Sequence, residues 1–389
     1  MYLKKSVLIV SAIVLIIATA TLTISLVNPF GFTAWGEFFQ FSVISRLIQG
    51  EYYEDVDKET IANTAIEGVA VATGDPYTRY LWGESAKEYM EDIEGNYCGI
   101  GIYIENDAND NTISIVSPIA GTPAEEAGLV TGDKILAVNG TSFTGQEIND
   151  AVAQMRGEEG TAVTITVLRK STGTTEDIEL TRQEIEIPSV ESEMLTDTVA
   201  CIRITQFTTN TSDLFLDAYT KHQKEGMKKL VLDLRNNPGG LMTEAVAIAN
   251  MFIEDEKVIV YTMDKDEKRV NYPATGPAES IPMVVLTNQG SASASEVLTG
   301  ALKDYDIAHH IGEKTYGKGV VQGVYETGKD SVLSVTVARY YTPNGLCIHG
   351  DGIEPDEVVS MDVEKYMRLS ELTLNEDEQM QKALAYLKQ

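Results

Sequence analysis

Cysteine, histidine and positive charge are all scarce in this chain, and each scarcity removes a class of function. Three cysteines among 389 residues (Cys98, Cys201 and Cys347), odd in number and far apart, cannot make a disulfide framework and are expected to stay unpaired. The four histidines form no zinc-type spacing with them, and there is no His-Glu-x-x-His, so neither a metal nor any other cofactor is expected. Lys and Arg number 30 against 59 Asp and Glu, a formal net charge of −29. A body this acidic repels phosphate backbones, which excludes nucleic acid as the main partner. The remainder is globular in composition, 43% hydrophobic and 23% charged, and long enough for two or three domains.

One long uncharged run stands at the N-terminus. Ser6 to Val27 follows Lys4 and Lys5. At about 1.5 Å per residue it spans a hydrocarbon core of roughly 30 Å. The lysine pair predicts a cytoplasmic N-terminus and an exported remainder. Ala18-Thr19-Ala20 has the small residues of a cleavage site, but the apolar run continues seven residues past it, which favours an uncleaved anchor over residues 1–28. The expectation is a single-pass protein of the cell membrane whose working part is extracytoplasmic, secreted if the segment is cleaved.

Four segments follow. Residues 29–94 read as helical, with Phe41, Ile44, Leu47 and Ile48 and then Ile61, Ala65, Ile66 and Val69 at helical spacing, broken by Gly74-Asp75-Pro76. Residues 95–182 turn to short β-branched strands such as Ile113–Val116 and Val163–Leu168. Residues 183–363 alternate strands (Lys228–Leu234, Pro282–Thr287) with amphipathic helices (Met242–Ile253, and one carrying Ala294, Val297, Leu298, Ala301 and Leu302 on one face). Residues 364–389 form a charged helical tail.

The second segment carries Gly99-Ile100-Gly101, which fails as a dinucleotide fingerprint because the third glycine and a following helix are missing. Further on come Ser117-Pro-Ile-Ala-Gly-Thr-Pro-Ala-Glu-Glu-Ala-Gly-Leu-Val-Thr-Gly-Asp-Lys-Ile135 and Val138-Asn139-Gly140. This stretch resembles the PDZ domain. The resemblance implies that a peptide's C-terminal carboxylate meets the amides of Gly99, Ile100 and Gly101 while the peptide adds a strand to the sheet edge. Arg169, on a strand near the end of the module, is a candidate link between peptide occupancy and the rest of the chain.

The third segment carries chemistry. Ser291, Ser293 and Ser295 join a buried strand to a helix, where the dipole and unpaired amides favour developing negative charge. Spacing alone does not choose among them. No Gly-x-Ser-x-Gly elbow is present, and no histidine stands in a triad motif. Lys318 is the other candidate base. Its run Gly312-x-x-x-x-Gly317-Lys318 is nearly a phosphate loop, but Gly319 replaces the magnesium-binding Ser/Thr and a strand follows, so nucleotide binding is rejected. If that strand includes residue 318, alternation puts Lys318, Val320 and Gln322 on one face. Glu296, in the first helical turn, is either an assisting acid or dipole compensation.

Ser293 with Lys318 twenty-five residues on and Gln322 beyond resembles the carboxyl-terminal processing proteases, Ser/Lys-dyad peptidases with an embedded PDZ domain. Gly74-Asp-Pro-Tyr-Thr-Arg-Tyr80, Leu232-Asp-Leu-Arg-Asn-Asn-Pro-Gly-Gly240 and Gly350-Asp-Gly-Ile-Glu-Pro-Asp356 agree with that family. The resemblance implies an α/β fold: a ClpP/crotonase-like protease core over residues 183–363, a mostly β PDZ domain over 95–182, and helical terminal segments. It implies Ser293 as nucleophile, Lys318 as general base, Gln322 orienting the lysine, and the amides of Gly239 and Ala294 as oxyanion hole. Asp233 and Arg235 are expected to be structural. Substrates would be proteins or peptides with a free C-terminus, and the amphipathic terminal segments would support a homodimer. The alternative is an inactive PDZ scaffold that binds C-terminal peptides, against which the intact Ser293, Lys318 and Gln322 stand.

Overall fold

The computed structural model describes residues 35–107, 109–186 and 188–388, together with Leu15 and Thr19. The run Ser6–Val27, on which the anchor expectation rests, lies outside the described residues apart from those two. Among the described residues no helix is long and apolar enough to cross a membrane. The chain divides into two compact units, residues 1–80 and 81–389.

The first unit contains helices α1 (Trp35–Glu51) and α2 (Lys58–Val71). Asp57 caps α2 by accepting from the Thr60 N–H at 2.9 Å, satisfying one of the amides a helix start leaves open. The apolar stripe read in the sequence is present but uncovered: Phe41, Ile44, Leu47 and Val69 are all exposed. The turn expected at Gly74-Asp75-Pro76 is there, with the Thr78 hydroxyl donating to Asp75 Oδ2 at 2.7 Å. The helical reading of residues 29–94 needs one correction, because Arg79–Trp82 is extended. The preceding helix has already ended at Val71, before the Gly74-Asp75-Pro76 turn, and the Arg-Tyr-Leu-Trp run favours a strand.

The second unit opens with the helix Glu84–Glu94 and then the PDZ module. Strand β1 (Asn96–Gly99) precedes five strands: β2 (Ile102–Asp107), β3 (Thr112–Pro118), β4 (Lys134–Val138), β5 (Ala162–Leu168) and β6 (Thr175–Thr181). These five lie in the spatial order β2-β3-β4-β5-β6, which leaves β2 at an edge. Helix α3 (Ile148–Met155) packs Ala151 and Met155 into a core with Ile113, Ile135, Val163 and Ile165. Strand β7 (Gln183–Glu186) returns antiparallel to β1, Gly99 opposite Gln183 and Asn96 opposite Glu186.

The remainder is built on a six-stranded sheet in the order β8 (Val190–Met194), β9 (Val199–Ile204), β10 (Lys229–Asp233), β11 (Met283–Thr287), β12 (Ala308–Gly312), β13 (Glu357–Val358). β8 runs antiparallel to β9, and every other pairing is parallel. Parallel strands need both faces covered, and Met283–Thr287 at the sheet's centre is accordingly buried at every position rather than alternating. One face of the sheet (Ile202, Leu230, Leu232, Val285) packs on helices α4 (Thr211–Glu225), α5 (Met242–Asn250) and α6 (Ala294–Asp304). The other face (Cys201, Val231, Val284, Ile311) packs on Met380, Ala383 and Leu387 of the C-terminal helix α7 (Glu378–Leu387). A second, antiparallel sheet includes Val258–Asp264, Arg269–Pro273, Val320–Gly328 and Ser331–Tyr341.

Candidate active site

Three loops leave the carboxyl ends of the adjacent parallel strands β10, β11 and β12, the position at which open α/β sheets gather ligands. The loop after β10 holds Arg235 to Gly240, that after β11 holds Asn288 to Ser293, and that after β12 holds Glu313 to Gly319. Polar side chains lock them together. Asn288 Oδ1 accepts from the Asn236 N–H at 2.8 Å, and Asn288 Nδ2 donates to Asn236 Oδ1 at 2.6 Å.

The three serines separate by what their hydroxyls do. Ser291 Oγ donates to the Leu234 carbonyl at 2.7 Å, and Ser295 Oγ donates to the Asn237 carbonyl at 3.0 Å. Both are fully buried and act as cross-braces between loops. Ser293 sits at the start of α6 with φ 53° and ψ −113°, a backbone conformation that costs a non-glycine residue free energy. The Tyr340 phenol is buried, which pushes its pKa far above the usual range, and the Ser293 side chain acts on it in the opposite direction.

Glu296 is the junction of the site. It is wholly buried. One carboxylate oxygen accepts from the Ser293 N–H at 2.8 Å and from the Lys318 N–H at 2.9 Å. The other accepts from the Thr315 hydroxyl at 2.6 Å and the Gly317 N–H at 2.7 Å. Ser293 and Lys318, far apart in the chain, therefore hang on a single oxygen atom. Burial raises the Glu296 pKa, and the four donors pull the other way. Dipole compensation alone would need none of these bonds.

The strand reading around Lys318 needs correcting. Residues 314–319 have no regular structure and the strand begins at Val320, so alternation does not extend back to Lys318. The Lys318 N–H is spent on Glu296 rather than on a ladder. A register shift between Val321 and Gln322 then re-aims the strand, and the Gln322 side chain donates to Thr336 Oγ1 at 3.4 Å.

Gly239 reaches Ser293 from the β10 loop. Its φ is 102°, and a Cβ placed on it would stand 2.7 Å from Ser293 Cβ and 3.0 Å from the Ala294 nitrogen, so only glycine fits. Ala294 is the first residue of α6, where a helix leaves its amides without internal partners. Asp233 and Arg235 lie beneath. Arg235 is bidentate to Asp233 (2.9 and 2.7 Å) and also reaches Asp377 at 2.9 Å. These two charges hold the guanidinium pKa well above its usual value against the cost of burial. They clamp the start of α7 to the sheet.

In the PDZ module a groove of about 250 Å³ runs between the edge strand β2 and α3, lined by Gly99, Ile100, Gly101, Ile102, Val152 and Met155 among others. The Ile100 and Gly101 carbonyls accept from the Ala124 and Ile119 amides, each at 2.9 Å. Arg169 bonds the Gly128 carbonyl at 2.7 Å, Asp133 at 2.9 Å, and Glu176, all within the module. Cys98, Cys201 and Cys347 are free thiols; Cys201 is buried in β9, where desolvation pushes its pKa strongly upward.

Sequence reasoning passed over Tyr340, Thr315 and Asn237. Tyr340 lies in a run that reads as an ordinary strand, and nothing in a one-dimensional pattern shows which inward residue meets Ser293. Thr315 carries no motif signal, yet its hydroxyl also accepts from the Ile353 N–H at 2.7 Å.

Sequence comparison gives the constellation a context. The model of peptidase family S41 matches residues 198–359, and that of the PDZ domain matches residues 114–169. A CtpA-like serine protease of Staphylococcus aureus (strain COL) is 40% identical over 330 residues, 84% of this chain and 65% of that protein. The chain thus spans just under two thirds of the length of that relative. A CtpA-like serine protease of Staphylococcus saprophyticus is 37% identical over 368 residues, 92% of this chain and 74% of that one. An S41 protease structure from Bacteroides fragilis superposes with a TM-score of 0.54 at 18% identity, covering 89% of this chain and 97% of that one, so the fold is shared.

Proposed function

The chain belongs to peptidase family S41, and from that premise we propose that it is a serine endopeptidase which captures protein C-termini in its PDZ domain and cleaves near them through an acyl-enzyme. Ser293 is the nucleophile and Lys318 the general base, with Gln322 on the strand beyond as the residue that orients the lysine. The amides of Gly239 and Ala294 receive the oxyanion, two donors worth roughly 3–4 kcal/mol each to such a transition state. The observation that carries the reading is the Glu296 carboxylate, which bonds the Ser293 and Lys318 amides through one oxygen. A scaffold that merely presented peptides would have no use for a buried acid in that place.

The groove beside Gly99, Ile100 and Gly101 supports capture of a free carboxylate: β2 is an edge strand, the opposite wall is apolar, and glycine amides offer an anion little obstruction. The division into a PDZ domain over 95–182, a core over 183–363 and a C-terminal segment over 364–389 goes with this function. So does an extracytoplasmic location, with residues 1–28 as anchor or cleaved signal. The exposed apolar faces of α1 and α2 support self-association into a homodimer.

A fluorophosphonate probe and a peptide substrate test the reading together. Wild-type protein is expected to be labelled on Ser293 and to cut the peptide, while Ser293→Ala does neither. Labelling at another serine, or cleavage by Ser293→Ala, overturns it. Comparison of the C-termini of exported proteins with and without Ser293→Ala then identifies the substrates.

A further inference from the structure

Gly239, one of the two oxyanion donors, already has an acceptor. Its N–H donates to Oδ1 of Asn237, two residues earlier, at 2.9 Å, a ring of the Asx-turn kind. Asn237 is fully buried, and the rest of it is equally committed. Its Nδ2 donates to the Ile204 carbonyl at 2.8 Å. Its own carbonyl accepts from the Ala292 N–H and the Ser295 hydroxyl, each at 3.0 Å. One residue therefore touches both halves of the hole, with its side chain on the Gly239 donor and its backbone on the residues flanking Ser293-Ala294.

We propose that Asn237 is a positioning residue for acyl transfer: its carboxamide keeps the Gly239 N–H occupied and aimed in the free protein, and yields it to the oxyanion as the tetrahedral intermediate forms. This rests on the peptidase reading above. No covalent bond of Asn237 changes. The donor passes from a neutral amide oxygen to an anionic one, for which a hydrogen bond is shorter and about twice as strong. The carboxamide stays anchored through Nδ2 to Ile204, so the exchange moves one acceptor and not the loop. An empty hole with a bare buried N–H would be costly, and Asn237 removes that cost while substrate is absent.

Wild-type protein gives a direct readout. Pro238-Gly239 is the only Pro-Gly step in the chain. Protein carrying ¹³C at proline carbonyls and ¹⁵N in glycine therefore yields one filtered amide signal, that of Gly239. A peptide boronic acid mimics the intermediate: the Ser293 oxygen adds to trigonal boron, its proton goes to Lys318, and boron becomes a tetrahedral anion. On adduct formation, verified by mass, the Gly239 proton is expected to move downfield by about 1 ppm or more, as for a stronger, anionic acceptor. An unmoved signal in protein whose Ser293 is fully modified overturns the proposal and leaves the peptidase reading standing. Failure of both boronate and fluorophosphonate to modify Ser293 overturns both.

Asn237→Asp supplies a second arm. Its carboxylate holds the Gly239 N–H more tightly and lies beside the developing oxyanion, so kcat is expected to fall about a hundredfold, the scale of one lost oxyanion donor, with KM near wild type. The ratio of variant to wild-type kcat should recover as pH falls, because the introduced carboxyl, once protonated, restores a donor toward Ile204 and a neutral acceptor for Gly239. A ratio flat with pH, or a loss carried by KM, overturns the proposal; melting temperatures at the same pH values separate it from simple destabilisation.

Discussion

In the proposed mechanism Lys318 would take a proton from Ser293 only as a free amine, so its charge state would govern the rate. Peptide cleavage is expected to rise with pH. Lys318→Ala and Lys318→Arg should both lose about 10²–10⁴-fold in kcat, the usual contribution of a general base. Arginine fails although it keeps the positive charge, because guanidinium does not give up its proton in this range. Substantial activity in either variant, measured on the same peptide, would remove Lys318 from the mechanism. Glu296→Gln is a subtler change at the same centre. Each carboxylate oxygen accepts from two donors, so whichever way the amide turns, its NH₂ faces two groups that also donate. At about 1–3 kcal/mol for each buried donor left unsatisfied, kcat should drop roughly tenfold to a thousandfold through displacement of Ser293 or Lys318. Wild-type kinetics in Glu296→Gln would show that the junction has no part in catalysis.

At the scale of elements, the edge strand β2 and the facing α3 border the groove proposed to take one extended peptide. A substrate with a free C-terminus is expected to bind and be cut at least about tenfold better than its amidated twin, the difference of one charge-assisted anchor. Equal handling of the two by calorimetry and by cleavage assay would refute carboxylate reading. Elements with a strong local pattern are legible in the sequence: Met283–Thr287, the buried face of α6 and the strands around Ile113 and Val163 all lie where their periodicity puts them. The two misread stretches differ in cause. The helical reading overlooked the local strand propensity of Arg79–Trp82, whereas the stretch before Val320 depends on partners distant in sequence. Lys318 is pulled out of strand geometry by Glu296, an interaction no window of ten residues contains. Spacing likewise could not separate Ser293 from Ser291 and Ser295, whose hydroxyls are spent on the carbonyls of Leu234 and Asn237 more than fifty residues away; the family resemblance, not the pattern, points to Ser293.

At the scale of the whole molecule, two buried polar centres govern stability. Arg235 draws on Asp233 and Asp377, and Asp377 also caps α7 by accepting from the Met380 N–H at 2.9 Å. Asp377→Ala strips the guanidinium of one charge and the helix of its cap, and should cost about 3–5 kcal/mol. A chemical denaturation midpoint unchanged in that variant would contradict the clamp. His310 is the second centre. Thr287 Oγ1 donates to the Glu313 carbonyl, so it accepts from His310 Nε2, and the buried Nδ1 has no donor facing it. Burial, helped by Lys303 and opposed by Asp356, lowers the His310 pKa from 6.5 to about 3. The unfolded chain takes up a proton below about pH 6.5 that the folded protein refuses until about pH 3, so stability is full above that window and falls as pH falls through it. The loss approaches 4–5 kcal/mol, at about 1.4 kcal/mol per pH unit. His310→Gln keeps a donor for Thr287 without titrating, and its melting temperature should vary less between pH 6.5 and 4 than that of wild type. Equal slopes would assign the acid sensitivity elsewhere.

The antiparallel pairing of β1 with β7 has a consequence for inheritance. The chain departs for the PDZ sheet at Gly99 and comes back opposite it at Gln183, so entry and exit share one doorway about 5 Å wide, the separation of paired strands. A foreign module of the same kind, spliced between those two residues, would replace the groove beside β2 and leave untouched the path of the chain that carries Ser293. Recognition and hydrolysis can then change ancestry separately, the first by exchange of a cassette and the second by substitution, residue by residue, around Ser293.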